Sequence, residues 1–320
     1  MIKDNLAIAK RDFVNTKESE RIMKASHKAV DKNAWILVLG EVGMGKSTIQ
    51  RQLVNFWKEH NDRFAVMEFN GFKIKTSRIN VMMKKMIRQV KPGEHVPGDI
   101  ETRYEVFRAA MANAVQKKIK PIIVIDNAQD LSNDTLLELK KIHEVSALGL
   151  EHLFTIVMFG KYEMRFEENF KSRELRHRVQ RFYLEKPSDA EIFEIARQTF
   201  GLTFEKGENK QLVEKIFLRK SEGTPSGVKH IYNKLNFQND FDGVISLNRL
   251  RNSFEVSYVD ELKKAGLTVN HVLKAYRDRF KKDIDKSTLS RALNYERDDR
   301  TSQNVRDVYN ELMGTNETNG

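Results

Sequence analysis

Apolar residues in the first half of this 320-residue chain fall in short unbroken runs separated by amphipathic stretches. Trp35-Ile36-Leu37-Val38-Leu39, Ile122-Ile123-Val124-Ile125 and the runs at 64–69, 153–160 and 180–184 predict five strands. A run that is apolar at every position fits a strand covered on both faces, as in a parallel sheet. Between the runs, apolar residues recur at helical spacing, most clearly over 47–58 and 134–147. Strand and helix alternate across residues 20–185, which predicts an α/β parallel sheet. From Ser188 to Phe237 only helical patterns remain, punctuated by Pro187 and Gly201.

The pattern divides the chain into an N-terminal helical segment (1–33), an α/β domain (34–186), a helical lid (187–240), a linker (241–265), a small helical domain (266–313) and a polar, disordered tail (314–320). In the penultimate piece, Leu289, Leu293, Val305 and Val308 are expected to face inward in a helix-turn-helix-like bundle. Thr268 is expected to cap its first helix.

The first strand runs straight into Gly40-Glu41-Val42-Gly43-Met44-Gly45-Lys46-Ser47, a complete G-x-x-x-x-G-K-[ST] loop opening a helix. Gly40, Gly43 and Gly45 let successive backbone N–H groups turn toward phosphates, and the helix N-terminus adds partial positive charge. Lys46 reaches the β- and γ-phosphates in such loops, Ser47 holds Mg²⁺, and Thr48 completes the set. The expected cofactors are ATP and Mg²⁺. The third strand ends in Asp126, at the strand end where ligands of parallel sheets sit, so Asp126 is a second candidate for Mg²⁺. Asn127 follows it. An amide orients water but cannot take its proton at neutral pH, so slow hydrolysis is expected, helped by Gln129, Asp130 or a neighbouring subunit.

These motifs, with Phe13-Val14-Asn15-Thr16, Phe159-Gly160-Lys161, Leu175-Arg176-His177-Arg178-Val179 and Gly223-Thr224-Pro225, resemble the AAA+ ATPases. More narrowly, the chain resembles the DNA-transposition target-selection group of the phage Mu B type, over residues 10–237. The resemblance implies that Val14 to Thr16 lie against the adenine. It also implies that Lys161 senses the γ-phosphate, and that Arg176 or Arg178 is an arginine finger reaching a neighbour's site. Those arginines also read as a solvated or DNA-facing basic segment. Two positions depart from the family pattern: Asn127 stands where many members carry glutamate, and Ser226 where an arginine is common.

Charge points to an acidic partner. The chain carries 56 Lys and Arg against 45 Asp and Glu, a net +11. Residues 72–93 hold seven Lys or Arg, including Lys73, Lys75, Arg78, Lys84 and Lys85, and no acidic residue. Sequence-blind contact with double-stranded DNA is expected there, against the alternative of a solvated helix face. In relatives that encircle DNA, this region looks toward the central channel. Ser287, Thr288, Ser290 and Arg291 are expected outward on a recognition-like helix, able to bond phosphates or guanine edges. A protein-docking module is the alternative for that bundle.

Without cysteine the chain can form neither disulfides nor thiolate metal sites, and its eight histidines show no ligand spacing. No run approaches the roughly 20 apolar residues of a membrane span, and the first residues are unlike a secretory leader, so a cytoplasmic protein is expected. The leading functional reading is a slow ATPase that assembles as a ring or filament on duplex target DNA and recruits a transposase. A replication initiator or helicase loader is the alternative, and a nucleotide-gated helix-turn-helix repressor the third.

Overall fold

The computed structural model describes residues 14–72, 79–207, 210–237, 241–254, 258–293 and 300–315. The described residues divide into two compact units, one within 15–191 with 224–226, the other within 192–223 and 227–315 with Val14.

The first unit is a five-stranded sheet of β1 (Trp35–Gly40), β2 (Phe64–Asn70), β3 (Lys120–Asp126), β4 (Thr155–Lys161) and β5 (Val179–Tyr183). Their order is β2-β3-β4-β1-β5 and every pairing is parallel. All six residues of β1 and Pro121 to Ile125 of β3 are buried, as unbroken apolar runs require. Helices α1 (Lys17–Asp31), α2 (Lys46–Glu59), α3 (Ile79–Val90), α4 (Ile100–Gln116), α5 (Asn133–His143) and α6 (Met164–Asn169), with a single 3-10 turn at Ala128–Asp130, belong to the unit among the described residues. Met82, Met83 and Met86 of α3 enter one core with Leu37, Ile123 and Met158 of the strands. Each such side chain contributes about 1.5–3 kcal/mol by leaving water. Because β4 lies between β1 and β3, the carboxyl ends of three strands open on one edge, where the motif residues sit.

A histidine closes α5. His143 is buried, and its Nε2–H donates to the carbonyls of Asn33 (3.0 Å) and Phe154 (3.1 Å). Both neighbours of Nε2 are acceptors, which fixes the proton there. The ring stacks on His152 at 4.3 Å, and His152 Nδ1 donates to the His143 carbonyl at 2.9 Å. Burial, with the second imidazole adding to it, pushes the His143 pKa down to about 4.

The second unit takes over within α7 (Asp189–Phe200). It continues through β6 (Thr203–Phe204), α8 (Lys210–Lys220), α9 (Pro225–Asn236), β7 (Val244–Ile245), α10 (Leu247–Phe254), α11 (Tyr258–Lys264), α12 (Val269–Phe280), α13 (Lys286–Leu293) and α14 (Arg300–Thr315). It departs from the sequence reading twice. The region read as helices only contains β6, paired with β7. Residues 241–265, read as a linker, hold β7, α10 and α11, and Leu247 and Leu250 enter the core of Ile192, Phe217, Val228 and Ile231. Leu247, Leu250 and Phe254 follow i, i+3, i+7 spacing, so a helical pattern is present in the segment, in a helix of only eight residues.

A further core of Val272, Tyr276, Leu289, Leu293, Val305, Val308 and Tyr309 joins α12, α13 and α14, with the four expected inward residues among them. Thr268 begins α12 through a capping box with His271. Buried Arg251 of α10 donates to the Leu293 carbonyl at the end of α13. Residues 316–320 of the predicted tail lie outside the described residues.

Candidate nucleotide-binding site

The loop after β1 takes the form its glycines permit. Gly43 and Gly45 have φ of 86° and 90°, the left-handed region that a side chain disfavours. Space is also short at Gly43, where an added Cβ would sit 2.9 Å from Ser226 Cβ. Gly45 caps α2, its carbonyl accepting from Thr48 and Ile49 N–H at 3.0 Å each. Ser47 and Thr48 lie exposed in the first turn. Lys46 Nζ donates to the carbonyls of Gly40 (2.7 Å) and Glu41 (2.6 Å). Burial lowers the Lys46 pKa; the Asp126 carboxylate opposes this and the Lys161 ammonium adds to it. Lys46, Asp126 and Lys161 are therefore within electrostatic reach of one another.

The end of β4 meets this loop in register, Lys161 pairing with Gly40, while Asp126 at the end of β3 pairs with Asn70 of β2. Asp126 Oδ1 accepts the Asn127 N–H at 2.8 Å. Asn127 is left-handed (φ 52°, ψ 45°), a conformation asparagine tolerates better than glutamate. Gly71 passes so close beneath it that a Cβ there would stand 2.1 Å from the Asn127 carbonyl oxygen. Gln129 Oε1 accepts the Lys161 N–H at 2.9 Å, tying the turn after β3 to the end of β4. Gly160 leaves room for that amide, since its Cβ would lie 3.3 Å from Gln129 Oε1.

Three contacts escaped the sequence reading. Gln129, considered there as an aid to hydrolysis, has its amide oxygen occupied by Lys161. Ser226, in place of the arginine, lies on the phosphate loop and donates its N–H to the Gly43 carbonyl at 3.2 Å. Glu191 accepts from Lys17 N and from Ser188 N and Oγ, each at 2.8 Å, so it anchors the entry to α1. Ser188-x-x-Glu191 is a local capping-box spacing, but no local motif marks the Gln129–Lys161, Ser226–Gly43 or Glu191–Lys17 pairs, because their partners are distant in sequence.

Other expected site residues divide. Val14 packs against the core of the second unit, and Thr16 is the N-cap of α1, accepting from Ser19 N at 3.1 Å. Arg178 is held by Glu144 (2.6 Å) and the Glu174 carbonyl (2.8 Å). Arg176 is exposed, and its guanidinium has no partner among the described residues. Lys84 is half-buried, while Lys85 donates to the Glu68 carbonyl (2.8 Å) and lies 4.7 Å over Phe69. Ser287 and Arg291 are exposed and bond each other at 2.7 Å, whereas Thr288 and Ser290, expected outward, are half-buried in the short α13. Phe13, Lys73, Lys75 and Arg78 lie outside the described residues.

With this geometry in hand, residues 30–166 match the family model described as an AAA domain. The nucleotide unit has the AAA+ P-loop fold. The chain is similar in structure to the Aeropyrum pernix ORC2 protein in its ADPNP–ADP complexes, with a TM-score of 0.55, 11% identity and 94% of each chain covered. It is also similar to Cdc6p from Pyrobaculum aerophilum, with a TM-score of 0.57 and 14% identity, over 97% of this chain and 84% of that one. No curated protein sequence matches the chain. At these identities the likeness establishes the AAA+ fold and its helical C-terminal region. Among the described residues, no cluster of three or more His, Cys, Asp or Glu could hold a metal ion, and no helix is long and apolar enough to cross a membrane.

Proposed function

We propose that this AAA+ chain is an ATP-switched regulator of DNA transposition that assembles on duplex target DNA and recruits a transposase. The observation that carries the switch is the convergence of Lys46, Asp126, Lys161 and Ser226 on one phosphate loop. The donor set fits a triphosphate, because the Lys46 ammonium is already held over carbonyl oxygens, beside glycines that leave the backbone bare. ATP with Mg²⁺, when bound, supplies the phosphate charge and the bond to be hydrolysed. Lys46 and Lys161 neutralise that charge, Ser47 and Asp126 hold the metal, and Val14 to Thr16 face the adenine. Asn127 orients a water without deprotonating it, which makes turnover slow and assembly the output.

Arg176 suits the finger role better than Arg178. Its exposed guanidinium is unengaged among the described residues, whereas Arg178 is spent on Glu144. Transposition as the setting rests on the ordered motifs of residues 10–237. A replication initiator or helicase loader is the second reading, favoured by the likeness to ORC2 and Cdc6p over nearly the whole chain.

The basic segment provides the test of duplex contact. Replacing Lys73, Lys75 and Arg78 by Ala should weaken binding uniformly across sequences and lower the slope of log K against log salt by about 2.7. Unchanged affinity and slope would remove the segment from the DNA surface. Preference of the wild type for one origin-like sequence and for a helicase would favour the second reading.

A further inference from the structure

The second unit carries a basic and aromatic face that no motif marks. No acidic residue occurs from Gly223 through Phe237, in a chain that holds 45 of them. Helical periodicity places Lys229 and Lys234 on opposite rims of the exposed arc of α9, with Asn233 and Phe237 along its middle. Phe237, one residue past the helix, is 89% exposed, with its N–H bonded to the Asn233 carbonyl at 3.2 Å. Lys234 Nζ is held 4.5 Å over the ring of Phe254, which also receives His230 edge-on at 6.0 Å. Neither Lys229 nor Lys234 has an ion-pair partner among the described residues. Two rim cations with an amide and a bare aromatic ring between them match the needs of an unpaired strand. The ammoniums neutralise phosphates, and the ring offers a stacking surface. A duplex hides its base faces in the stack and leaves that ring nothing to stack on. An acidic peptide would use the cations and leave the ring idle.

We propose that the exposed face of α9, centred on Phe237 and flanked by Lys229 and Lys234, binds single-stranded nucleic acid. This site is separate from the duplex contact proposed above, and either can fail without the other. The probes are a fluorescent 25-nucleotide oligo-dT and a 25-base-pair random duplex, titrated by anisotropy with the full-length chain. Phe237→Ala should weaken oligo-dT binding about tenfold and leave duplex binding unchanged, while Phe237→Tyr should retain it. Replacing Lys229 and Lys234 together by Ala should lower the oligo-dT salt slope by about 1.4. The proposal is overturned if the wild type does not bind oligo-dT, or if Phe237→Ala leaves its affinity unchanged. Equal losses on both probes, or displacement of oligo-dT by polyglutamate at equal charge, would also overturn it. A wild type that binds oligo-dT and not the duplex would count against the function proposed above and not against this site.

Discussion

The nucleotide site and the C-terminal bundle are built by opposite means. In the first unit, three buried strands end on one edge, and the polar residues that terminate them face a single loop. In the second, short helices bury Leu289, Leu293, Val305 and Val308 and turn Ser287 and Arg291 to solvent. A strand end is fixed in space by the hydrogen bonds of its neighbours, so a residue there inherits a position from the sheet. A residue on the outer face of a short helix inherits only exposure. Motif reasoning therefore carries further in the sheet than in the bundle.

The contrast can be broken most sharply at Lys46. Its ammonium is prepositioned by two carbonyls, and charge-assisted bonds to phosphate contribute about 1.5–3 kcal/mol each. Lys46→Ala should lower affinity for a fluorescent ATP analogue on the order of 1,000-fold, with the melting curve little changed. Retained affinity would detach the loop from nucleotide binding.

The sheet unit also carries a pH dependence that traces to one buried residue. With a folded pKa of about 4 against an ordinary 6.5, His143 is neutral when folded and takes up a proton on unfolding in mild acid. Its contribution is complete above pH 6.5 and is lost as pH falls toward 4, amounting to about 3 kcal/mol. Urea unfolding at pH 7.5 and at pH 4.5 should differ by an amount of that order. A His143→Gln variant should show a flatter profile, and an equally steep one would assign the acid sensitivity elsewhere.

Next in size comes Gly71→Ala. Its Cβ would meet the Asn127 carbonyl at 2.1 Å, and relieving the overlap should cost about 1–3 kcal/mol by chemical denaturation. The same change should disturb nucleotide affinity, because the shifted backbone is that of Asn127, next to Asp126. A stability loss with wild-type nucleotide binding would show that the two segments are mechanically independent.

The smallest effect separates two neighbouring arginines. Arg178 and Glu144 are both partly exposed, so Arg178→Ala should cost less than about 1 kcal/mol of stability. Arg176→Ala should cost none and should instead reduce ATP-dependent oligomerisation, read by light scattering. The reverse pattern would exchange their roles.

Much of the site was legible because it is local. Gly40 to Ser47 are contiguous, and Asp126 and Lys161 end apolar runs that periodicity alone identifies. Gln129 with Lys161, Ser226 with Gly43 and Glu191 with Lys17 were not legible, since each joins elements far apart in sequence. The misread linker has the opposite cause. Leu247, Leu250 and Phe254 do carry a helical spacing, but over eight residues, a length at which an isolated helix is marginal until tertiary packing gives it a core. Thr288 and Ser290, expected outward, are half-buried in an eight-residue helix.

The most direct measurement is binding of the full chain to random-sequence duplex DNA with ATP, with ADP and without nucleotide, by anisotropy with electron microscopy of the same samples. The account predicts sequence-blind binding that requires ATP and coincides with rings or filaments. Binding that ignores the nucleotide, or that occurs without assembly, would contradict it.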